Sequence, residues 1–428
     1  MIAKMHDAGV LHEDLHCANI LLQADGYEVS PVLMDLHRAT HRARLSRRAR
    51  AANLAQLLHD RILFTTRTER LRFLRHYLDS SRVGGTLRGW QRMVEDFARR
   101  HTRRQHAQRD RRILSRNQYF TPLKLSGGWR ARVILSSKRC MAGSQAAKAF
   151  FTEKDWRTLL ADPVSLLYGE DVNVVKESRS GRLVRRRIML GGSRFDVFIK
   201  RPRRKQPWKT LLDCFRPSRP MRVFNLGHQL LARRISTALP MAALERRIGP
   251  FLVDSILITE AVEASGLDKF FQTWLSDSPQ ANASLDAPQR RRLAQEVLSQ
   301  LGRMLQQLHD NNFAHRDLKA SNVLVRYVPP GPAEIVLVDL DGLHPMFRMT
   351  AKRQFQGLMR LNVSLLQCPE VNHSGRLRML LGYLRRPGCG RVNFKPYWRV
   401  LEEWSAKKIR EQIDDRRRRQ KAARRPAS

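Results

Sequence analysis

The sequence predicts an α+β protein: a β-rich lobe followed by a helical lobe, with a copy of the helical-lobe pattern ahead of both. Three observations lead to this expectation. Between Val172 and Thr259, apolar residues alternate with polar ones in short runs separated by turn residues, the pattern of half-buried strands. From Pro288 to His309 they recur at helical spacing, and residues 343–404 continue as helix. The first hundred residues share a motif and its surroundings with a later segment, offset by 303 positions.

Composition bounds the possibilities. With 42% hydrophobic and 28% charged residues over 428 positions, the chain has the make-up of a globular protein with room for two or three cores. No apolar run approaches the roughly 20 residues that cross a bilayer, and Asp7, His12, Glu13 and Asp14 interrupt any leader-like stretch over Met1 to Leu22. Cys17, Cys140, Cys214, Cys368 and Cys389 are far apart and form no C-x-x-C pair, which argues against disulfides or a zinc site and for a reducing cytoplasm. A net charge of +41 suits polyanions such as acidic headgroups, phosphorylated glycolipid or nucleic acid. No aromatic-studded RNA-binding motif or zinc-finger spacing supports the last of these.

The elements follow in order. Residues 98–118 are strongly basic and read as the solvated end of the first unit. Phe120 to Leu135 alternates around Ser126-Gly127-Gly128 as a hairpin does, and could belong to either unit. Ser144 to Ala161 is helical in pattern, with Thr152 and Asp155 at capping spacing. Val172 to Val175 and Leu183 to Leu190 read as strands, and Gly191-Gly192 turns into Phe195 to Lys200. A basic stretch, a helix over Arg222 to Leu239, and a strand over Phe251 to Thr259 come next. Lys407 to Arg425 is a basic tail, read as helix fraying to disorder. The expected divisions are 1–110, a helical-lobe unit; 111–165, a connecting segment with hairpin and helix; 166–262, the β-rich lobe; 263–405, the helical lobe; and 406–428, the tail.

The chemistry concentrates in His315-Arg316-Asp317-Leu318-Lys319-Ala320-Ser321-Asn322, followed by the strand-like Ile335 to Val338 and Asp339-Leu340-Asp341-Gly342. One short loop carries a carboxylate and a carboxamide, and a buried-looking strand ends in a second carboxylate. A phosphoryl-transfer site needs this arrangement: Asp317 to orient the attacking hydroxyl and accept its proton, Asn322 and Asp339 to hold Mg²⁺ against the nucleotide phosphates. Lys200 closes a strand, where its ammonium could meet the α- and β-phosphates of ATP. Ser178, Ser180 and Gly181 would cover those phosphates, although the loop is not G-x-G-x-x-G. The backbone from Glu260 to Val262 would meet the adenine. Lys319 either reaches the transferring phosphate or faces solvent. Asp341 competes with Asp339 for the metal, and the repeat decides for Asp339, because its counterpart Asp35 is followed by Leu36-His37.

The repeat extends well beyond the loop. His6, His12, Asp14 and Asn19 match His309, His315, Asp317 and Asn322, and Asp35 matches Asp339. Arg70 to Leu74 and Tyr77 echo Arg376 to Leu380 and Tyr383, and Trp90 echoes Trp398. Internal duplication explains this economically.

Together these residues resemble the lipopolysaccharide kinase (Kdo/WaaP) family, a bacterial branch of the protein-kinase-like superfamily. Further cues are Val197 to Arg201, Ser218-Arg219 entering a helix, and Leu239-Pro240 before Ala242 to Glu245. The resemblance implies a bilobal protein-kinase-like fold with a β-rich N-lobe and a helical C-lobe, here preceded by a duplicated C-lobe-like unit. It implies ATP- and Mg²⁺-dependent phosphorylation of a sugar hydroxyl in the lipopolysaccharide inner core, Kdo or heptose. The implied setting is the cytoplasmic face of the inner membrane, with the protein peripheral on an anionic surface. A Ser/Thr protein kinase or small-molecule kinase is the nearest alternative, and a pseudokinase scaffold binding acidic lipid or protein is another.

Two departures bear on activity. The helix after Lys200 should offer a Glu to that lysine, yet Arg219 to Arg234 contains no acidic residue, leaving Asn225 or His228 as its expected neighbours. In the first copy Glu13 replaces the Arg, and only eleven residues precede His12, where a β-rich lobe of about 100 residues belongs. Two accounts of that copy stay open: a sequence incomplete at its start, which this reading favours, or a remnant retained as scaffold. Its Asp14, Asn19 and Asp35 are expected to be inactive.

Overall fold

The structure, a computed structural model, describes residues 1–59, 65–137, 144, 146, 149–203, 216–275, 285–385 and 392–423. Cys140, Cys214 and Cys389 lie outside these residues. Two compact units divide between Gln108 and Arg109.

In the first unit, α1 (Ile2–Asp7) leads into β1 (Val10–His12), which pairs antiparallel with β4 (Ala39–His41). Between them β2 (Ile20–Asp25) and β3 (Glu28–Leu33) form a hairpin. Helices α2 (Arg47–Leu58) and α3 (Arg67–Asp79) follow, and α4 (Leu87–Leu114) carries the unit boundary. Thr66 and Glu69 close a capping box at the start of α3, which fixes that end. Ile2, Leu15, Leu54, Leu74, Trp90 and Val94 form the core. Burial of His6 is made tolerable by two partners, Tyr77 Oη at 2.8 Å and Asn53 Oδ1 at 3.0 Å.

The second unit is built on a seven-stranded antiparallel sheet in the order β5–β6–β10–β11–β9–β8–β7. Its strands are β5 (Phe120–Lys124), β6 (Trp129–Ile134), β7 (Asn173–Ser178), β8 (Gly181–Leu190), β9 (Ser193–Pro202), β10 (Pro240–Ile248) and β11 (Phe251–Glu260). The β5–β6 hairpin, placed by sequence in a connecting segment, is the edge of this sheet. Residues Ala242 to Arg246 of β10 pair with Trp129 to Val133 of β6. Strand period explains the interior: Phe195, Val197 and Ile199 of β9 are buried on one face, which turns Lys200 to the other.

Three expectations need correction here. Helix α5 is confined to Glu153–Leu159, where Thr152 and Asp155 form the capping box, because Phe150 is already bridged to Ser136. Helix α6 spans Arg219–Ala232 and stops short of Leu239: Arg234 adopts a left-handed φ of 60°, which a helix cannot continue through. Residues 343–404 are not helical throughout, since β16 (Leu343–Pro345) pairs with β13 (Phe313–His315).

The helical lobe contains a small sheet of β12 (Ser265–Gly266), β14 (Val323–Arg326) and β15 (Glu334–Leu337), with helices α7 (Leu267–Trp274), α8 (Ala287–Asp310), α9 (Ala351–Leu365), α10 (His373–Leu384) and α11 (Lys395–Ala423). The basic tail expected to fray continues as helix to Ala423. Gly302 of α8 and Gly382 of α10 let these helices touch. A Cβ on Gly302 would meet the Tyr383 nitrogen at 2.7 Å, closer than real contacts permit. Among the described residues, no helix is long and apolar enough to cross a membrane.

Candidate active site

Lys200 lies near the end of β9, paired across the sheet with Leu183 of β8 and Leu257 of β11. Its Nζ donates to Asp339 Oδ1 at 3.1 Å and to Asp341 Oδ2 at 2.6 Å. Residues some 140 positions apart thus meet where β9 of the β-rich lobe faces the loop after β15. Burial pulls the Lys200 amine down, but Asp341 and then Asp339 outweigh it, and its pKa is raised above the ordinary lysine value.

The loop that begins with β13 is held by a neutral imidazole. His315 is buried, which lowers its pKa. Its Nδ1 accepts from the Asp317 N–H at 3.3 Å, so Nε2 carries the proton and faces Asp339 O, also at 3.3 Å. One ring therefore ties the backbones of Asp317 and Asp339 together. Asn322 is buried, its Nδ2 donates to Asp317 O at 2.8 Å, and its carbonyl accepts from Val338 N at 2.9 Å. That leaves the Asn322 Oδ1 without a bond inside this network. Asp339 itself sits at φ 55°, a left-handed turn that aims its carboxylate off the strand axis. Lys319 pairs with Asp317 Oδ2 at 3.1 Å, both side chains being exposed.

Mg²⁺ fits the donors present. Among the described residues no group of three or more His, Cys, Asp and Glu side chains could form a metal cage. Mg²⁺ in nucleotide sites needs only one or two protein oxygens besides phosphate and water, which the Asp339 carboxylate and the Asn322 amide oxygen would supply.

The remaining candidates lie on the β-rich lobe. Ser178 and Ser180 share a hydrogen bond of 2.7 Å between hydroxyls at the tip joining β7 to β8. Gly181 adopts φ 153°, and a Cβ there would meet the Arg201 carbonyl oxygen at 2.6 Å, so the tip is closed by a residue with no side chain. At the end of β11 the Glu260 N–H goes to Leu239 O at 2.9 Å, while Val262 O accepts from Ala264 N at 3.0 Å. The Glu260 carboxylate, to which sequence assigned no work, is buried and engaged: Ser144 Oγ donates to it at 2.5 Å and Ala146 N at 3.1 Å.

Neither expected neighbour on α6 is a partner of Lys200. His228 faces the Pro240 carbonyl at 2.9 Å, packed edge-on against Phe120 and Phe224. Asn225 lines a groove with β5, β6 and β10. The second carboxylate at the lysine is Asp341, which sequence reasoning treated only as a rival for metal. One signal pointed to it. Among the described residues of the first unit no strand carries a lysine, and His37 stands where Asp341 does, paired there with Asp35.

The first unit repeats the loop's internal bonds. His12 Nδ1 accepts from Asp14 N at 3.3 Å, and Asn19 Nδ2 donates to Asp14 O at 3.0 Å. Asp35 shares the left-handed turn of Asp339, with φ 62°.

The model of the lipopolysaccharide kinase (Kdo/WaaP) family matches residues 1–77 and 183–380, more than half of the chain. The chain belongs to this family. Membership in the Kdo/WaaP kinases makes the protein a phosphotransferase whose acceptor is a sugar hydroxyl, and kinase chemistry implies ATP as donor. A solved structure, WaaP in complex with acyl carrier protein, is 19% identical, with 61% of this chain and 98% of that one covered and a TM-score of 0.42. Among curated proteins none matches.

Proposed function

We propose that the second unit transfers the γ-phosphate of ATP to a Kdo or heptose hydroxyl of the lipopolysaccharide inner core. In this reading residues 166–262 are the nucleotide lobe and 263–405 the acceptor lobe of a protein-kinase-like fold. Residues 1–110 are a duplicated C-lobe, 111–165 connect the two while lending the hairpin to the sheet, and 406–428 form a basic tail. The observation that supports it best is the meeting of Lys200 with Asp339 and Asp341 beside a loop that holds Asp317 and Asn322 by hydrogen bonds.

Each residue then has a task. Asp317 orients the acceptor hydroxyl and takes its proton as the oxygen attacks. Lys200 binds the α- and β-phosphates, and Lys319, already beside Asp317, steadies the phosphoryl group in flight. Asn322 and Asp339 would hold Mg²⁺, which when bound neutralises charge on the phosphates. Asp341 takes the part of the missing helix carboxylate by holding Lys200. Ser178, Ser180 and Gly181 cover the phosphates, and the backbone of Glu260 to Val262 meets the adenine, with the Glu260 side chain serving as a structural anchor. Asp14, Asn19 and Asp35 are inactive counterparts.

The acceptor would be an anionic glycolipid, met by a protein held peripherally on the cytoplasmic face of the inner membrane by its positive surface. Transfer of labelled phosphate from ATP to lipopolysaccharide precursors, run beside a generic protein substrate and with Asp317→Asn as control, tests the reading. Labelling of the glycolipid alone, abolished in the variant, is the expected result. Preferential labelling of protein, or equal turnover by both forms, refutes it.

A further inference from the structure

Within the second unit, the end of α4, the start of β5 and the end of α6 border a cavity of about 250 Å³. Its walls are largely apolar: Ile113, Phe120, Leu231 and Ala232, with Tyr119 beside them. The buried end belongs to His228 of α6, which is 6% exposed and wedged edge-on between Phe120 and Phe224, ring centres 4.8 and 4.6 Å away. Its Nε2 faces the Pro240 carbonyl oxygen at 2.9 Å and therefore carries the ring proton. Nδ1 has no partner among the described residues, yet it is not one of their sealed, unpaired polar atoms, so it opens on the cavity that His228 lines. Burial pushes the His228 pKa down to about 3, which keeps Nδ1 a bare lone-pair acceptor at neutral pH. Ser136, the other buried polar residue there, donates its hydroxyl to Gln118 O at 3.2 Å.

The solvent side is cationic. Arg109 donates to Ala232 O at 3.4 Å, which holds it against α6. Arg112, nearly one turn further along α4, is exposed, and its guanidinium has no partner among the described residues. Asp110 does not neutralise either, because its carboxylate takes both Arg233 Nη atoms, at 2.8 and 2.7 Å. No Asp or Glu is among the described residues lining the cavity. An unpaired surface arginine is ordinary in so basic a chain; a buried acceptor left without a donor is not. Water alone answers this lining poorly. The volume is that of about eight waters at about 30 Å³ each, and the buried end offers them one open acceptor among carbon walls.

We infer that this cavity binds a small hydroxyaryl carboxylic acid, its hydroxyl donating to His228 Nδ1, its ring against Tyr119, Phe120 and Leu231, and its carboxylate on Arg112. Each part answers one feature of the lining. The hydroxyl is the donor that the imidazole lacks, the ring matches aromatic walls, and a guanidinium fork suits a carboxylate. The volume falls below the about 300–1,000 Å³ of pockets for larger ligands, which limits the occupant to a single ring with short substituents. The site shares no residue with the proposed catalytic machinery, so its existence does not depend on that reading.

Isothermal titration calorimetry of the full chain without ATP tests this. The probes are 4-hydroxyphenylacetate, which carries both groups, phenylacetate, which lacks the hydroxyl, and 4-hydroxyphenylethanol, which lacks the carboxylate. The first is expected to bind the wild type, and each of the others about tenfold more weakly, the worth of one hydrogen bond to a buried or charged group. His228→Gln keeps a donor for Pro240 O but removes the Nδ1 acceptor. It should close the gap between the first two probes and leave phenylacetate binding unchanged. Arg112→Gln should close the gap between the acid and the alcohol, whereas Arg399→Gln, an equal charge change at an exposed position of α11, should leave all three affinities as they are. Leu231→Phe fills the space and should abolish binding of every probe, which keeps the test decisive if the melting temperature shows that His228→Gln does not fold. A hydroxyl preference that survives in His228→Gln, equal losses in Arg112→Gln and Arg399→Gln, binding undiminished in Leu231→Phe, or no saturation of the wild type by 4-hydroxyphenylacetate at about 5 mM overturns the proposal.

Discussion

Asp341→Asn removes one of the two negative charges at Lys200 while keeping the side chain's size. Unit charges at about 4 Å attract by about 4 kcal/mol at an effective dielectric of 20. The Lys200 side chain is 38% exposed and that of Asp341 31%, so solvent screening brings this down to about 1–2 kcal/mol. If that attraction holds the amine where the phosphates arrive, its loss should raise KM for ATP by about 5- to 30-fold. The same change must lower the Lys200 pKa, because burial persists while the larger opposing charge is gone. The assay is acylation of Lys200 by an amine-reactive reagent across pH, quantified on its peptide by mass spectrometry, alongside steady-state kinetics. Asp341→Glu, which keeps the charge, should retain the wild-type pH profile; Asp339→Asn should instead depress kcat and weaken the Mg²⁺ dependence. An Asp341→Asn protein with unaltered lysine reactivity and unaltered KM would show that Asp341 is a bystander.

Three further outcomes are expected. Asp317→Asn should reduce phosphate transfer by about 10²–10⁴-fold, the usual worth of a positioned base, while nucleotide affinity measured by titration stays within about twofold. Acid should destabilise the second unit through two buried imidazoles, His228 pushed down to about 3 and His309 to about 4. Both are neutral when folded and protonate near 6.5 when unfolded, so the unfolded chain gains protons first. Stability is then lost as pH falls below 6.5, by about 2 kcal/mol each at pH 5, with the loss levelling off near the folded values. Urea midpoints at pH 7 and pH 5 read this out, and His309→Gln should remove about half of the difference. Gly302→Ala would drive a methyl into the α10 backbone and should lower stability by about 2–4 kcal/mol, seen as a fall in melting temperature. A melting temperature equal to wild type would mean that α8 and α10 are less tightly joined than their contact implies.

The residues of the loop after α8 were legible in the sequence because their relations are local. Asp317 and Asn322 are five positions apart, and Asp339 ends the strand that follows, so spacing alone brackets them. Strand β9 and helix α8 were legible for a related reason, since period 2 and period 3.6 are properties of a single segment. Tertiary structure alone decided the rest. Asp341 meets Lys200 across 141 positions, Glu260 takes Ser144 from the far side of the chain, and the β5–β6 hairpin finds its place in the sheet only through β10. These pairings depend on which faces the packed lobes bring together, and no periodicity within one segment encodes that. The cavity at His228 is of the same kind, because its lining comes from α4, the ends of the β5–β6 hairpin and α6, which are neighbours only after folding.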